Sequence, residues 1–379
     1  MRAKALLNAG LNYAESWLRR PTPASYPVVL DIVLTKACNL RCTFCISYDS
    51  LGHQHWLDYG LYQRIARELF PRAWDVQFCS GGEPFFYPQI REALALAASY
   101  GCTTTVTTNG MLIDRGVAEW LVEDQSLRKI WLSFDAATKP TLERIRRGAN
   151  YDKILSNVRE LVRLRRAAGR PWPKIATRFV MMKSNAEELP DLTELAGELG
   201  IYHVEGRYLN VANDMDFDES LFAHPDLAAD VFERARQAAK RSGVSLSLPP
   251  LPGQDASAGY CIKPWEMCQI DIDGSIRFCY KSWRQRLGYF DDGFSKIWRG
   301  EHYRKLRTTI DSEETYFPYC KHCSMRNGVN HECSHDQRLH AEAYVIPGLE
   351  RMQTEFNDRD QENRVAFAER RQAALQRQK

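Results

Sequence analysis

The chain contains no run of about 18 apolar residues, so no segment reads as a membrane-crossing helix. Excess charge of one sign is also scarce: 51 Lys and Arg stand against 48 Asp and Glu, a net +3. Such a balance gives no general case for nucleic acid or an anionic membrane as partner. Met1 to Arg20 lacks an unbroken apolar core and a small-residue cleavage site, so it does not read as a secretory leader. Internal repeats are missing. Apolar residues at 44% and charged residues at 26% exclude a disordered chain, a collagen and a coiled-coil rod. With 379 residues, the chain is long enough to bury a large core without disulfide staples.

Cysteine is the exception. There are eleven, at 38, 42, 45, 79, 102, 261, 268, 279, 320, 323 and 333. An odd number in tight clusters, with no secretory leader, points to a reducing compartment and to metal or cluster ligation. The expected location is cytoplasmic.

Ala3 to Leu18 has a helical stripe of Leu7, Leu11, Ala14 and Leu18, expected to pack on its own domain; a membrane-surface or partner role is the alternative. An alternation of strands and helices follows. Strands are expected at Pro27–Thr35, Asp75–Cys79, Thr103–Thr108, Lys129–Phe134, Lys174–Met182 and Tyr202–Leu209, with helices of 10–18 residues between them. This predicts an α/β fold with a parallel sheet and right-handed crossovers. Six units are too few for a full eight-fold barrel and suit an open, partial (β/α)6 barrel, with its chemistry at the carboxyl ends of the strands. Asp226 to Arg241 is one more helix, and the Pro/Gly/Ser-rich stretch from Leu248 to Gly259 reads as a linker. The expected divisions are an N-terminal helix (1–24), the partial barrel (25–212), a helix and linker (213–259), a cysteine-dense domain (260–335) and a C-terminal helical tail (336–379).

Cys38, Cys42 and Cys45 lie on a loop directly after the first strand. Three thiolates there can hold one face of an iron–sulfur cubane and leave one iron open. By spacing alone, zinc with a distant fourth ligand stays open. This Cys-x3-Cys-x-aromatic-Cys motif resembles the radical S-adenosylmethionine (SAM) superfamily. Ser80-Gly81-Gly82-Glu83-Pro84 resembles the family's GGE motif, Thr108-Asn109-Gly110 its TNG turn, and Ser133-Phe134-Asp135 its ribose-contacting motif. The resemblance spans about residues 25 to 210. It implies a [4Fe-4S] cluster on Cys38, Cys42 and Cys45, which serve catalysis. It implies SAM on Phe44, Gly81, Gly82, Glu83, Pro84, Asn109, Ser133 and Asp135. Glycines without Cβ let backbone approach a ligand. Glu83 offers a carboxylate to the SAM ammonium, Phe44 a face to adenine, and Asp135 an acceptor to the ribose. The implied chemistry is reductive cleavage of SAM to a 5′-deoxyadenosyl radical, which abstracts hydrogen from a substrate.

Cys261-x2-Pro264-Trp265, Asp273-Gly274 and Cys279 resemble the opening of a SPASM or twitch domain, the auxiliary-cluster extension of the same superfamily. Asp273-Gly274 between apolar runs is a hairpin signal. The resemblance implies one auxiliary [4Fe-4S] cluster on Cys261, Cys279, Cys320 and Cys323, acting as electron acceptor. A complete SPASM pattern carries further close cysteines; here only Cys333 follows. A zinc site drawing on His322, His331 and His335 is the alternative. Cys79 and Cys102 read as inert core thiols, with a hydrogen-atom donor facing the barrel interior as the alternative for Cys79, and Cys268 and Cys333 are left over.

The expected function is a radical SAM enzyme acting on a small molecule such as a sugar, cyclitol or nucleoside. A fused leader-binding module needs about 80 residues, and only about 25 precede the first strand. A peptide-modifying maturase is the alternative, and a non-catalytic iron–sulfur or zinc scaffold the alternative of another class. Flavodoxin or ferredoxin is the expected electron donor. Tyr48, Trp56, Arg178, Glu205 and Arg207 are cavity candidates by position.

Overall fold

A computed structural model describes residues 2–45, 56–209, 216–252, 261–280, 282, 285–312, 315–317 and 320. The strands of its main sheet are β1 (Val29–Ile32), β2 (Asp75–Phe78), β3 (Thr103–Thr108), β4 (Lys129–Ser133), β5 (Lys174–Met181), β6 (His203–Tyr208), β7 (Ser245–Ser247), β8 (Met267–Ile270) and β9 (Ile276–Arg277). The helices are α1 (Arg2–Trp17), α2 (Tyr59–Leu69), α3 (Ile90–Ser99), α4 (Arg115–Asp124), α5 (Lys139–Ile145), α6 (Tyr151–Ala167), α7 (Leu189–Glu198), α8 (Pro225–Ser242), α9 (Lys263–Glu266), α10 (Phe294–Trp298) and α11 (Glu301–Thr309). Side-chain caps set several helix starts. Asp58 accepts from Leu61 N, Asp114 from Val117 N and Asn150 from Lys153 N. Gly243 ends α8 in the left-handed conformation.

The main sheet runs β9-β8-β1-β2-β3-β4-β5-β6-β7. Strands β1 to β7 are parallel, and helices link them, so the α/β partial-barrel expectation holds. Strand alternation sorts the side chains. Val76, Phe78, Val106, Ile130, Leu132, Ile175, Phe179 and Val204 face the helices and are buried. Each contributes on the order of 1.5–3 kcal/mol of apolar burial. The opposite face carries the polar residues Asp31, Gln77, Thr105, Thr107, Arg178, Glu205 and Arg207, beside Trp131, Ala176 and Val180. Their mutual contacts place them in the barrel lumen. Ser80 and Gln269 donate to Asp31, Arg178 donates to Thr107 (3.2 Å) and Glu205 (2.9 Å), and Arg207 donates to Glu205 (2.9 Å).

Three features differ from the sequence expectation. A seventh parallel strand, β7, follows α8 where only a helix and linker are predicted. It is three residues long, too short to carry a period-2 signal. The cysteine-dense segment is not a separate layer. Its β8 pairs in parallel with β1, from Val29↔Met267 to Ile32↔Ile270, and continues the barrel sheet. Strands β8 and β9 form the hairpin, turning at Gly274 with φ +78°. Lastly, α1 is turned over. Leu7 and Leu18 are 76% and 59% exposed, while Asn8, Asn12, Glu15 and Ser16 are buried. The buried polar groups serve an irregular backbone. Asn8 exchanges bonds with Tyr26 (2.8 and 3.0 Å), Asn12 donates to the Trp265 carbonyl (2.7 Å), and Glu15 accepts from Ala24 N and Ser25 N (both 2.9 Å). Burying the leucines instead would orphan those groups, at about 1–3 kcal/mol each.

At the β8–β9 hairpin, Asp271 is buried between Lys36 (2.9 Å) and Arg277. Burial alone would raise its pKa, but the two cations hold it well below the usual carboxylate range. We expect Asp271→Ala to destabilise the protein by about 3–5 kcal/mol at pH 7, because it strands two buried cations. A depressed carboxylate stabilises above its unfolded pKa of about 4 and loses that stability as pH falls toward the folded value. Thermal melts from pH 7 to pH 3 should therefore show wild type and variant converging on the acid side.

Candidate functional site

The loop after β1 is built by backbone contact. Gly82 N–H donates to the Thr35 carbonyl and Glu83 N–H to the Ala37 carbonyl, both at 2.7 Å. A Cβ on Gly81 would lie 2.5 Å from the Thr35 oxygen, and one on Gly82 would lie 1.9 Å from the Ala37 oxygen. Only glycine fits there. The close approach that the glycines permit is thus to the chain's own cysteine loop; the sequence reading assigned it to a ligand. Trp56 forms an antiparallel bridge to Thr35, which sets it beside the same loop. Tyr48 lies outside the described residues.

Glu83 is 2% exposed. It accepts from Thr108 Oγ1 (2.7 Å) and Asn109 N (2.8 Å), and caps the turn at Pro84–Phe86 through Phe85 N (3.4 Å). One carboxylate therefore ties the end of β2 to the turn after β3. Burial pushes its pKa up to about 7 against these hydrogen bonds. A cationic ammonium brought beside it would favour the ionised form. Asn109 reaches back to the cysteine loop, donating to Asn39 Oδ1 at 2.8 Å, with its Nδ2 4.0 Å from Cys38 Sγ.

A second brace comes from α5. Arg41–Cys42 pairs antiparallel with Arg146–Arg147, and Thr43 N donates to the Ile145 carbonyl (2.9 Å). Arg146 is 7% exposed. Its guanidinium donates to Asp135 Oδ2 and to Cys42 Sγ (3.6 Å), and lies 5.4 Å from the Phe44 ring centroid. Asp135 also accepts from Val180 N at 2.6 Å. Both of its oxygens are thus engaged, and a ribose contact would have to share them. Arg146 carries no motif signal in the sequence. The clue to it is chemical: a buried carboxylate at Asp135 needs a cation. Phe44, like Val180, packs against the cluster of Ile145, Met182 and Leu209. Ser133 ends β4, in register with Arg178.

Cys38, Cys42 and Cys45 are half-buried on this loop. Burial pushes the Cys38 and Cys42 thiols up, and Arg146 opposes the effect at Cys42. Cys38 Sγ also accepts from Leu40 N (3.5 Å). Thiol sulfurs that share one loop and receive N–H donors are the donor set of an iron–sulfur cluster. The residues fit that group. Among the described residues, no three Cys, His, Asp or Glu side chains close on a single-ion site.

In the second set, Phe278 and Phe317 stack at 5.2 Å and 11°. This brings the chain just before Cys279 beside the chain leading to Cys320, and both cysteines are 5% exposed. Cys261 is half-buried, its carbonyl accepting from Arg19 (3.0 Å). Cys323, Cys333 and the three histidines lie outside the described residues. Cys268 is fully buried next to lumen-facing Gln269, on the opposite side of β8. Cys102 is buried with its thiol toward the Phe70 carbonyl (3.6 Å). Cys79 sits in the lumen above Asp31, which accepts from its N–H (3.2 Å).

Residues 32–196 match the Radical SAM superfamily, and residues 261–324 match SPASM, an iron–sulfur cluster-binding domain. A tungsten-containing aldehyde ferredoxin oxidoreductase cofactor-modifying protein of Pyrococcus furiosus is 24% identical, covering 79% of this chain and 88% of the relative. Mycofactocin maturase MftC of Mycobacterium ulcerans is 27% identical, covering 74% and 77%. The PqqA peptide cyclase of Gluconobacter oxydans is 31% identical, covering 48% and 50%. Among solved structures, Streptococcus suis SuiB bound to precursor peptide SuiA has the same fold, with a TM-score of 0.60 and 18% identity over 82% of this chain and 72% of that one. A radical SAM domain binds a [4Fe-4S] cluster and SAM, and a SPASM domain binds auxiliary iron–sulfur clusters. The parallel barrel with its braced cysteine loop thus coincides with the radical SAM match, and the segment that adds β8 to the same sheet with the SPASM match.

Proposed function

We propose that this enzyme modifies a peptide. What carries this reading is likeness over most of the chain: mycofactocin maturase aligns with 74% of it, and SuiB was solved with a precursor peptide in the same fold. The PqqA peptide cyclase, matching about half of the chain, points the same way. These likenesses favour a peptide over the small molecule that a single auxiliary cluster suggests from sequence. Arg178, Glu205 and Arg207 form a half-exposed ion-paired rim in the lumen, with Glu205 held below the usual carboxylate range net of burial.

When bound, the cluster and SAM supply a 5′-deoxyadenosyl radical that takes hydrogen from the substrate. The chain's residues position that chemistry. Cys38, Cys42 and Cys45 would hold the SAM-binding cluster. Gly81, Gly82 and Pro84 fix the turn that carries Glu83, whose carboxylate would meet the SAM ammonium. Phe44, Asn109, Ser133 and Asp135 would line the nucleoside side, with Arg146 orienting Asp135. Cys261, Cys279, Cys320 and Cys323 would hold one auxiliary [4Fe-4S] cluster, which would supply an electron acceptor. Flavodoxin or ferredoxin would be the electron donor, in the cytoplasm. No described helix is long and apolar enough to cross a membrane.

Dithionite-reduced protein is expected to cleave SAM to 5′-deoxyadenosine, and replacing any one of the three loop cysteines with Ala should abolish this. Glu83→Ala should weaken SAM binding by about 1.5–3 kcal/mol, as for a lost hydrogen bond to a charged group. Isothermal titration under anaerobic conditions measures it.

Substrate class is read from the same assay. A peptide substrate should raise 5′-deoxyadenosine formation above the uncoupled rate and change mass itself. If sugars, cyclitols or nucleosides do so while peptides do not, the peptide reading fails. Cys279→Ala should still form 5′-deoxyadenosine but yield little modified product.

A further inference from the structure

Ten large apolar or aromatic side chains stand exposed among the described residues, and six of them belong to α1 and its end: Leu6, Leu7, Leu11, Tyr13, Trp17 and Leu18. Such a patch on one face marks an interaction surface. Its orientation is fixed from behind. The opposite edge of α1 is spent on the backbone at Ala24–Tyr26, Arg72 and Trp265, through Asn8, Asn12 and Glu15. Turning the helix to hide its leucines would leave those groups unpaired, so the face points outward by construction.

The charges around the face are of one sign. Lys4 is exposed near one end, and Arg20 is 59% exposed at the other. The only acid of the helix, Glu15, is 1% exposed and engaged by Ala24 N and Ser25 N, with the largely exposed Arg20 guanidinium 3.8 Å away. Local positive charge thus sits on a chain that is nearly balanced overall. A helix of 16 residues is roughly 24 Å long, too short to span a bilayer. Leucines with Trp and Tyr on one face and basic residues at the flanks suit the interface plane of a bilayer with anionic headgroups. A second copy fits less well. An antiparallel pairing of two α1 faces would set Lys4 of one against Arg20 of the other, a like-charge contact at both ends.

We propose that α1 docks the enzyme on the surface of an anionic lipid bilayer. The helix lies in the headgroup plane, with Leu7, Leu11, Trp17 and Leu18 at the acyl boundary and Lys4 and Arg20 on headgroup phosphates. The proposal is independent of the substrate reading.

The test is flotation of the full chain with vesicles of phosphatidylcholine alone and of phosphatidylcholine with phosphatidylglycerol. The wild type should float with the anionic vesicles and much less with the neutral ones. The double variant Leu7→Glu and Leu11→Glu should lower the bound fraction roughly tenfold or more, since each change removes a leucine from the buried face. It should melt like the wild type, because neither side chain packs in the core. Lys4→Gln with Arg20→Gln keeps the apolar face, sets no new acid beside Glu15, and should lose the preference for anionic vesicles. Wild type that stays unbound, or a leucine variant that floats as well as wild type, overturns the proposal. A dimer in solution that the leucine variant splits, with no flotation, gives the face to a second copy and overturns it equally.

Discussion

Everything in this molecule hangs on the pairing of β1 with β8. Strand β1 delivers the cysteine loop, and β8 opens the SPASM segment; Val29 to Ile32 pair with Met267 to Ile270 in unbroken parallel register. A parallel edge strand with open N–H and C=O groups is costly to leave bare. Covering β1 with a strand from more than two hundred residues downstream satisfies that edge. It also makes the two cysteine-bearing regions parts of one sheet. Lumen contacts cross the same seam. Gln269 donates to Asp31 and Ser80, and Lys36, just past β1, pairs with Asp271. The geometry between the two cysteine sets is therefore set by strand pairing and does not rely on a linker.

Around the first set, the protein uses backbone and buried charge where a lone loop would wander. The glycine pair lets the end of β2 lie against Thr35–Ala37, Glu83 ties that turn to the one after β3, and Arg146 joins α5 and the end of β4 to Cys42. Each brace runs from a different βα unit. Several strand ends thus converge on one loop, as the carboxyl-end rule for parallel barrels requires.

The parallel core was legible because its strands are β-branched, its helices are periodic and the motifs end successive strands. Thr103–Thr108 and Lys174–Met181 read plainly for this reason. What stayed hidden depends on contacts distant in sequence. β7 and β9 are three and two residues long and carry no periodicity. β8 has an ordinary apolar run, and nothing local says that it pairs with β1. Arg146 is one arginine among several in its segment, distinguished only by the buried Asp135 it faces. The leucine stripe of α1 is a true helical period, but period alone does not say which face turns inward. The asparagines and Glu15 decided that, because irregular backbone at Ala24–Tyr26 had to be satisfied first.

The central claim is that one continuous sheet carries two separate cluster sites, one on Cys38, Cys42 and Cys45 and one on the SPASM cysteines. Iron and sulfide analysis after anaerobic reconstitution, read alongside Mössbauer spectra, tests it most directly. The account predicts about eight iron and eight sulfide per chain, falling to about four of each when the three loop cysteines become Ala, with the remaining cluster still of the four-iron type. Wild type holding about four iron with one zinc would contradict it. So would a triple variant that loses all of its iron while still folded.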